Sequence, residues 1–145
     1  ATLSWQTLDT RIDIPENSYS MNYQLSMGIA PTPPQGADLI GLGQSFYLVG
    51  FDEAGNKINL LDQRLTIQMS YVAPKLSQMI PETIKIYQYR NATEEWVDIT
   101  TSTNLVFDLS RGERIIQLSA ETKRIAPFAI LGMPPIENFI PLFQQ

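Results

Sequence analysis

Apolar and polar residues alternate with a period of two along most of this chain. Arg11-Ile12-Asp13-Ile14 alternates, and Tyr19, Met21, Tyr23, Leu25 and Met27 share one face of a stretch with mostly polar residues between them. Successive side chains of a strand point to opposite faces, so this period predicts strands and argues against helices. The same reading extends to residues 43–51 and to Leu65–Val72, with Leu65, Ile67, Met69 and Tyr71 on one face. Further strands are expected at Thr83–Arg90, Trp96–Ile99, Leu105–Leu109, Ile115–Ser119 and Ile125–Leu131.

The segments between these runs have turn chemistry. Asp52-Glu53-Ala54-Gly55-Asn56-Lys57, Asn91-Ala92-Thr93-Glu94-Glu95 and Ser110-Arg111-Gly112-Glu113 each separate two expected strands, which makes three hairpins. Residues 30–36 contain three prolines and a glycine and read as a surface loop or a linker between sandwich halves, and residues 73–81 as a connector. About ten short strands with no amphipathic helix among them predict an all-β fold, an antiparallel β-sandwich spanning residues 1–132. Residues 133–145 then form an extended tail rich in proline and large apolar groups. Ile136, Phe139, Ile140, Leu142 and Phe143 are its candidate partner-binding residues, because disordered tails are poor in such side chains.

Length and charge narrow the function. A chain of 145 residues, 43% hydrophobic, fills one domain core. A net charge of −5 with no run of Lys and Arg gives no reason to expect nucleic-acid binding. No apolar run approaches the ~20 residues of a membrane-spanning helix. Charged residues make up only 17%, so the surface is rich in Ser, Thr, Asn and Gln, a composition common outside cells. The start Ala1-Thr2-Leu3 suggests a processed precursor, and the expected location is extracellular or the cell surface after removal of a signal segment.

Cysteine and histidine are both absent, which excludes disulfides, thiolate or imidazole metal sites and His-based catalytic relays. Among the 15 acidic residues no pair stands out as the acid and base of a glycosidase, so no catalytic residue, metal or cofactor is expected. Asp52, Glu53 and Asn56 offer oxygen donors to calcium but lack a second half of the shell. Trp5, Tyr47, Tyr87, Tyr89 and Trp96 offer faces for sugar rings, and Tyr87 and Tyr89, on one strand face with Lys85, are the candidate ligand-binding pair. Ordinary sheet packing is the competing reading for those tyrosines. Lys57, Lys75, Lys85 and Lys123 are the four lysines available to an isopeptide cross-link, and solvated side chains are the simpler expectation. Asn91-Ala92-Thr93 matches the N-glycosylation sequon.

Ser70-Tyr71, the Ile84–Tyr89 run leading to Trp96-Val97, and Phe128-Ala129-Ile130-Leu131-Gly132 occur here in one order and spacing. With these the chain resembles the β-sandwich domain named for zonula-occludens proteins and uncoordinated-type netrin receptors, in the form found in large bacterial surface and secreted proteins. The resemblance covers residues 43 to 132 best. Some members look self-cleaving through a His-Phe-Ser triplet before the last strand. Arg124-Ile125-Ala126 stands there in this chain, without hydroxyl or imidazole, so the resemblance implies a structural or adhesive member. The leading expectation is a non-enzymatic interaction module of a surface assembly, with a protein partner or further copies of itself bound through sheet edges and tail. The alternative is a carbohydrate-binding module using exposed aromatics.

Overall fold

The alternating faces are buried against each other in two stacked sheets. The computed structural model describes residues 2–5, 9–29, 39–72 and 81–133. Within these, the strands are β1 (Thr2–Trp5), β2 (Thr10–Asp13), β3 (Tyr23–Ile29), β4 (Ile40–Asp52), β5 (Lys57–Ile58) and β6 (Leu60–Val72). They continue as β7 (Lys85–Arg90), β8 (Glu95–Asp98), β9 (Thr100–Asp108), β10 (Glu113–Arg124) and β11 (Pro127–Gly132). A single 3-10 turn, Pro81–Thr83, is the one helical element among the described residues. The proline-rich loop, most of the connector at 73–81 and the tail from 134 onward lie outside the described residues.

The first sheet has the order β1-β2-β6-β10-β9 and the second β3-β4-β11-β7-β8, with β5 added to β4 at Gly50 and Phe51. All pairings are antiparallel. The fold is therefore an all-β sandwich, as the alternation predicts. Ile12, Leu65, Ile67, Met69, Ile116 and Leu118 of the first sheet meet Phe46, Leu48, Ile84, Ile86, Phe128 and Ile130 of the second, and all are buried. Phe46 and Phe128 are cross-strand partners and stack with centroids 5.2 Å apart.

Among the described residues the chain changes sheets four times at one end of the sandwich, between β2 and β3, at Asn59, at Ile99 and at Ile125-Ala126. The crossings are tied together by backbone: Ile125 N donates to Asn59 O at 3.0 Å and Leu48 N to Ala126 O at 3.2 Å. Ile99 N donates to Ile86 O at 3.0 Å, and Ile86 N donates to Thr100 Oγ1 at 2.8 Å. Arg124-Ile125-Ala126 is thus one of the crossings. The opposite end carries the β9–β10 turn.

One expected strand is shortened. The alternation at Tyr19–Met27 becomes strand only from Tyr23, and Met21 is 46% exposed. Upstream the chain is turning between sheets. Asn17 has φ 59°, the Ser18 hydroxyl donates to the Pro15 carbonyl, and Ser18 O accepts from Asp62 N at 2.7 Å. Tyr19 still packs on the core, edge-on to Tyr23 at 5.8 Å.

The β9–β10 turn is closed by Asp108, whose Oδ1 accepts from Ser110 Oγ at 2.6 Å and Ser110 N at 3.0 Å. The Ser110 hydroxyl chiefly, with backbone amides of Ser110 and Arg111 and the Arg111 charge, holds the Asp108 carboxyl below its ordinary value. A carboxyl depressed in the folded state contributes stability that is present above its unfolded value and lost as pH falls through the folded one. Urea midpoints followed from about pH 5 to about pH 2 should therefore fall less steeply in Asp108→Asn than in the parent. Equal slopes would show that the turn holds without the charge.

Candidate functional site

Tyr87 and Tyr89 sit on the outer face of the second sheet, where Ile86 and Gln88 alternate inward and are buried. Tyr89 is the cross-strand partner of Trp96, with ring centroids 5.1 Å apart. Phe128 opposes Gln88, which brings Pro127 beside Tyr89, and Pro127 in turn opposes Tyr47. Tyr47, Pro127, Tyr89 and Trp96 therefore form one row across four strands. The row ends at Gly28, where an added Cβ would lie 2.3 Å from Tyr47 Cζ; the Tyr47 ring occupies the space a side chain would take. Tyr87, one row further, opposes Asp98, and burial together with that carboxylate raises its phenol above the ordinary value. Trp5 belongs to the other sheet, in β1, and so cannot join this row.

The row leads into a groove of about 610 Å³ at the crossover end, lined by Tyr47, Tyr89, Asn59 and Asn91 among others. A second hollow of about 340 Å³ adjoins it, and Arg90 and Arg124 line both. Lys57 completes the basic lining of the first, Arg64 and Lys123 that of the second. Five of the chain's ten Lys and Arg are thus gathered at one mouth. Among the described residues Glu121 is the one carboxylate in either lining, 3.9 Å from Arg64. These cations come from β5, β6, β7 and β10, so no run of basic residues announces them in the sequence.

Arg90 is held by its strand position. It follows Ile86 and Gln88 on the inward face of β7, at the point where the two sheets part, and it is only half-buried. Its Nε is shielded from solvent and has no hydrogen-bond acceptor. Directly below, Gln88 Nε2 donates to Thr122 Oγ1 at 2.8 Å across the sheets. This buried polar pair ends the apolar core and makes the floor of the second hollow.

A different surface lies along β9. Among the described residues β9 pairs with β10 alone, and at nine residues it is the longest edge strand, against four in β1, seven in β3 and four in β8. Leu105 opposes the buried Ile116, so it belongs to the core-facing side, yet it is 59% exposed. Phe107 on the same side is 53% exposed and Leu109 just beyond is 86% exposed. Their exposure means that no described strand of the second sheet covers these side chains. The five tail residues Ile136, Phe139, Ile140, Leu142 and Phe143 lie outside the described residues. Their segment follows Met133, whose N donates to Thr83 Oγ1 at 2.8 Å, at the same end of the sandwich as Phe107.

The remaining candidates have local uses. Asp52 Oδ1 accepts from Ala54 N and Asn56 N and so closes its own turn; Asp98 Oδ1 accepts from Thr100 N. No group of three or more acidic side chains among the described residues converges on a metal-sized space. Lys57 and Lys123 are exposed and Lys85 Nζ donates to Thr103 Oγ1 at 3.4 Å; Lys75 lies outside the described residues. No described helix is long and apolar enough to cross a membrane.

No family model, curated protein or solved structure matches this chain. The functional reading rests on the surfaces themselves.

Proposed function

We propose that the protein is a non-enzymatic interaction module of an extracellular or cell-surface assembly, which binds a second copy of itself through the β9 edge. The observation that carries this is β9: a long edge strand that pairs with β10 alone among the described residues, with Leu105, Phe107 and Leu109 exposed beside it. Natural sheets keep such edges short, charged or covered, because they template strand addition. The sequence supplies a candidate element in residues 134–145, rich in proline and large apolar residues, which a neighbouring copy can lay along β9 so that backbone pairs and Ile136, Phe139 or Leu142 fill the uncovered patch. Repeated head to tail, that contact builds a chain of copies. The family resemblance noted from the sequence belongs to the same proposal.

Light scattering at rising concentration tests it, on the parent, on a chain ending at Gly132 and on Phe107→Lys. Concentration-dependent particles in the parent alone, with all three folded by circular dichroism, are the expected result. A strictly monomeric parent would refute the proposal. The second reading, carbohydrate binding by the outer face, is favoured by one observation, the aromatic row of Tyr47, Tyr89 and Trp96.

A further inference from the structure

We infer that the mouth at the crossover end is a binding site for an acidic saccharide, one whose carboxylate is taken by Arg90 and Arg124. The inference is independent of the exposed Leu105–Leu109 end of β9, which lies at the other end of the sandwich, and it rests on the carbohydrate reading and deepens it by naming the sugar's charge.

The chemistry of the lining selects the ligand. In a chain of net charge −5, five cations around one mouth with a single opposing carboxylate make a local field of the opposite sign. Lys and Arg on an ordinary surface are interspersed with acids, and here only Arg64 has one, at 3.9 Å. Arg90 adds a specific demand. Its Nε is buried with no acceptor, so the guanidinium brings an uncompensated charge to the mouth, which an incoming anion offsets. A guanidinium presents parallel N–H groups that match a carboxylate in two hydrogen bonds, whereas Lys offers only a point charge.

The size and the rest of the lining exclude a bare ion as the whole occupant. About 610 Å³ is the volume of a site for a ligand of several rings. Around the cations stand Tyr47 and Tyr89, with π faces for the C–H side of a pyranose, and Asn59, Asn91 and Thr93, whose amides and hydroxyl suit sugar hydroxyls. Arginines also take phosphate in two hydrogen bonds, but a phosphate alone leaves the aromatic faces and amides of this groove without a partner. A hexuronate oligomer supplies ring faces, hydroxyls and one carboxylate per unit, which accounts for each part of the lining. Glu121 lines only the second hollow, and no carboxylate is among the described residues that line the first groove.

Isothermal titration of the full chain with a galacturonate trimer, with its methyl ester, and with inorganic phosphate is the test. The acid trimer should bind, the ester at least about tenfold more weakly, and affinity should fall as salt rises. Arg124→Gln, at an exposed position, and Arg90→Gln should each weaken the acid trimer about tenfold while leaving the ester unchanged. Thermal unfolding checks that both variants are folded, and Arg124→Gln decides the matter if Arg90→Gln is not. Equal binding of acid and ester, unmoved by either substitution, overturns the acidic preference and leaves the carbohydrate reading intact. Binding of neither overturns both. Binding of phosphate as tight as the acid trimer means a general anion site and overturns the assignment to a sugar.

Discussion

Phe128→Ala should remove about 3–5 kcal/mol of folding stability, the cost of deleting a fully buried aromatic ring and leaving the space it filled. Phe128 has no solvent exposure, stacks on Phe46 at 5.2 Å and lies on the central strand of its sheet, so neither neighbour can close over the gap. Domains of this size have a total stability of about 5–15 kcal/mol, so the variant should lose between a fifth and all of it. Phe128→Leu, which keeps most of the volume, should lose much less. Guanidinium midpoints at constant slope measure both. A loss under about 1 kcal/mol for the alanine variant would mean that the two sheets do not close on this pair.

Thr122→Val should cost about 1–3 kcal/mol although it changes almost no volume. Gln88 is 1% exposed and Thr122 8% exposed; the hydroxyl accepts from Gln88 Nε2 at 2.8 Å and from Arg124 N at 3.0 Å. Valine removes both acceptances and strands the amide in the core. Adding Gln88→Leu should recover the part of the loss that belongs to the amide, leaving only the part due to Arg124 N. A double-mutant cycle in which the two losses simply add would show that the pair does not interact.

The two kinds of legibility differ in this chain. Strands with one buried and one wet face were readable because burial imposes the period. Leu65, Ile67, Met69 and Tyr71 are all buried as the alternation requires, and the β7–β8 hairpin turns at Asn91–Glu94. β9 was placed only from Leu105, yet it begins at Thr100. Its first half is Thr100-Thr101-Ser102-Thr103-Asn104, exposed on most positions, and an edge strand whose faces are both wet has no pattern to read. β10 likewise continues past Ser119 to Arg124, where Thr122 takes an inward position through a hydrogen bond instead of apolar burial. Met21 shows the reverse error, since the alternation runs on through a turn that local hydrogen bonds impose.

At the site, Tyr89 was visible as an aromatic on the outer face of a strand. The basic mouth was not, because Lys57, Arg64, Arg90 and the Lys123-Arg124 pair come from four strands and meet only where the crossings put the ends of β5, β6, β7 and β10 together. Gln88 was readable as inward-facing, but nothing in its neighbours named Thr122, thirty-four residues away, as its partner.

The position of β11 sets the order in which the molecule can be completed. It is the last described strand and yet lies in the middle of its sheet, between β4 and β7. Until residues 127–132 are available, β4 and β7 have nothing between them, and Phe46 waits for a partner 82 positions along the chain. Closure of so long a loop comes late and slowly, and the nascent chain leaving the ribosome must hold two open strands apart until residues 127–132 have emerged.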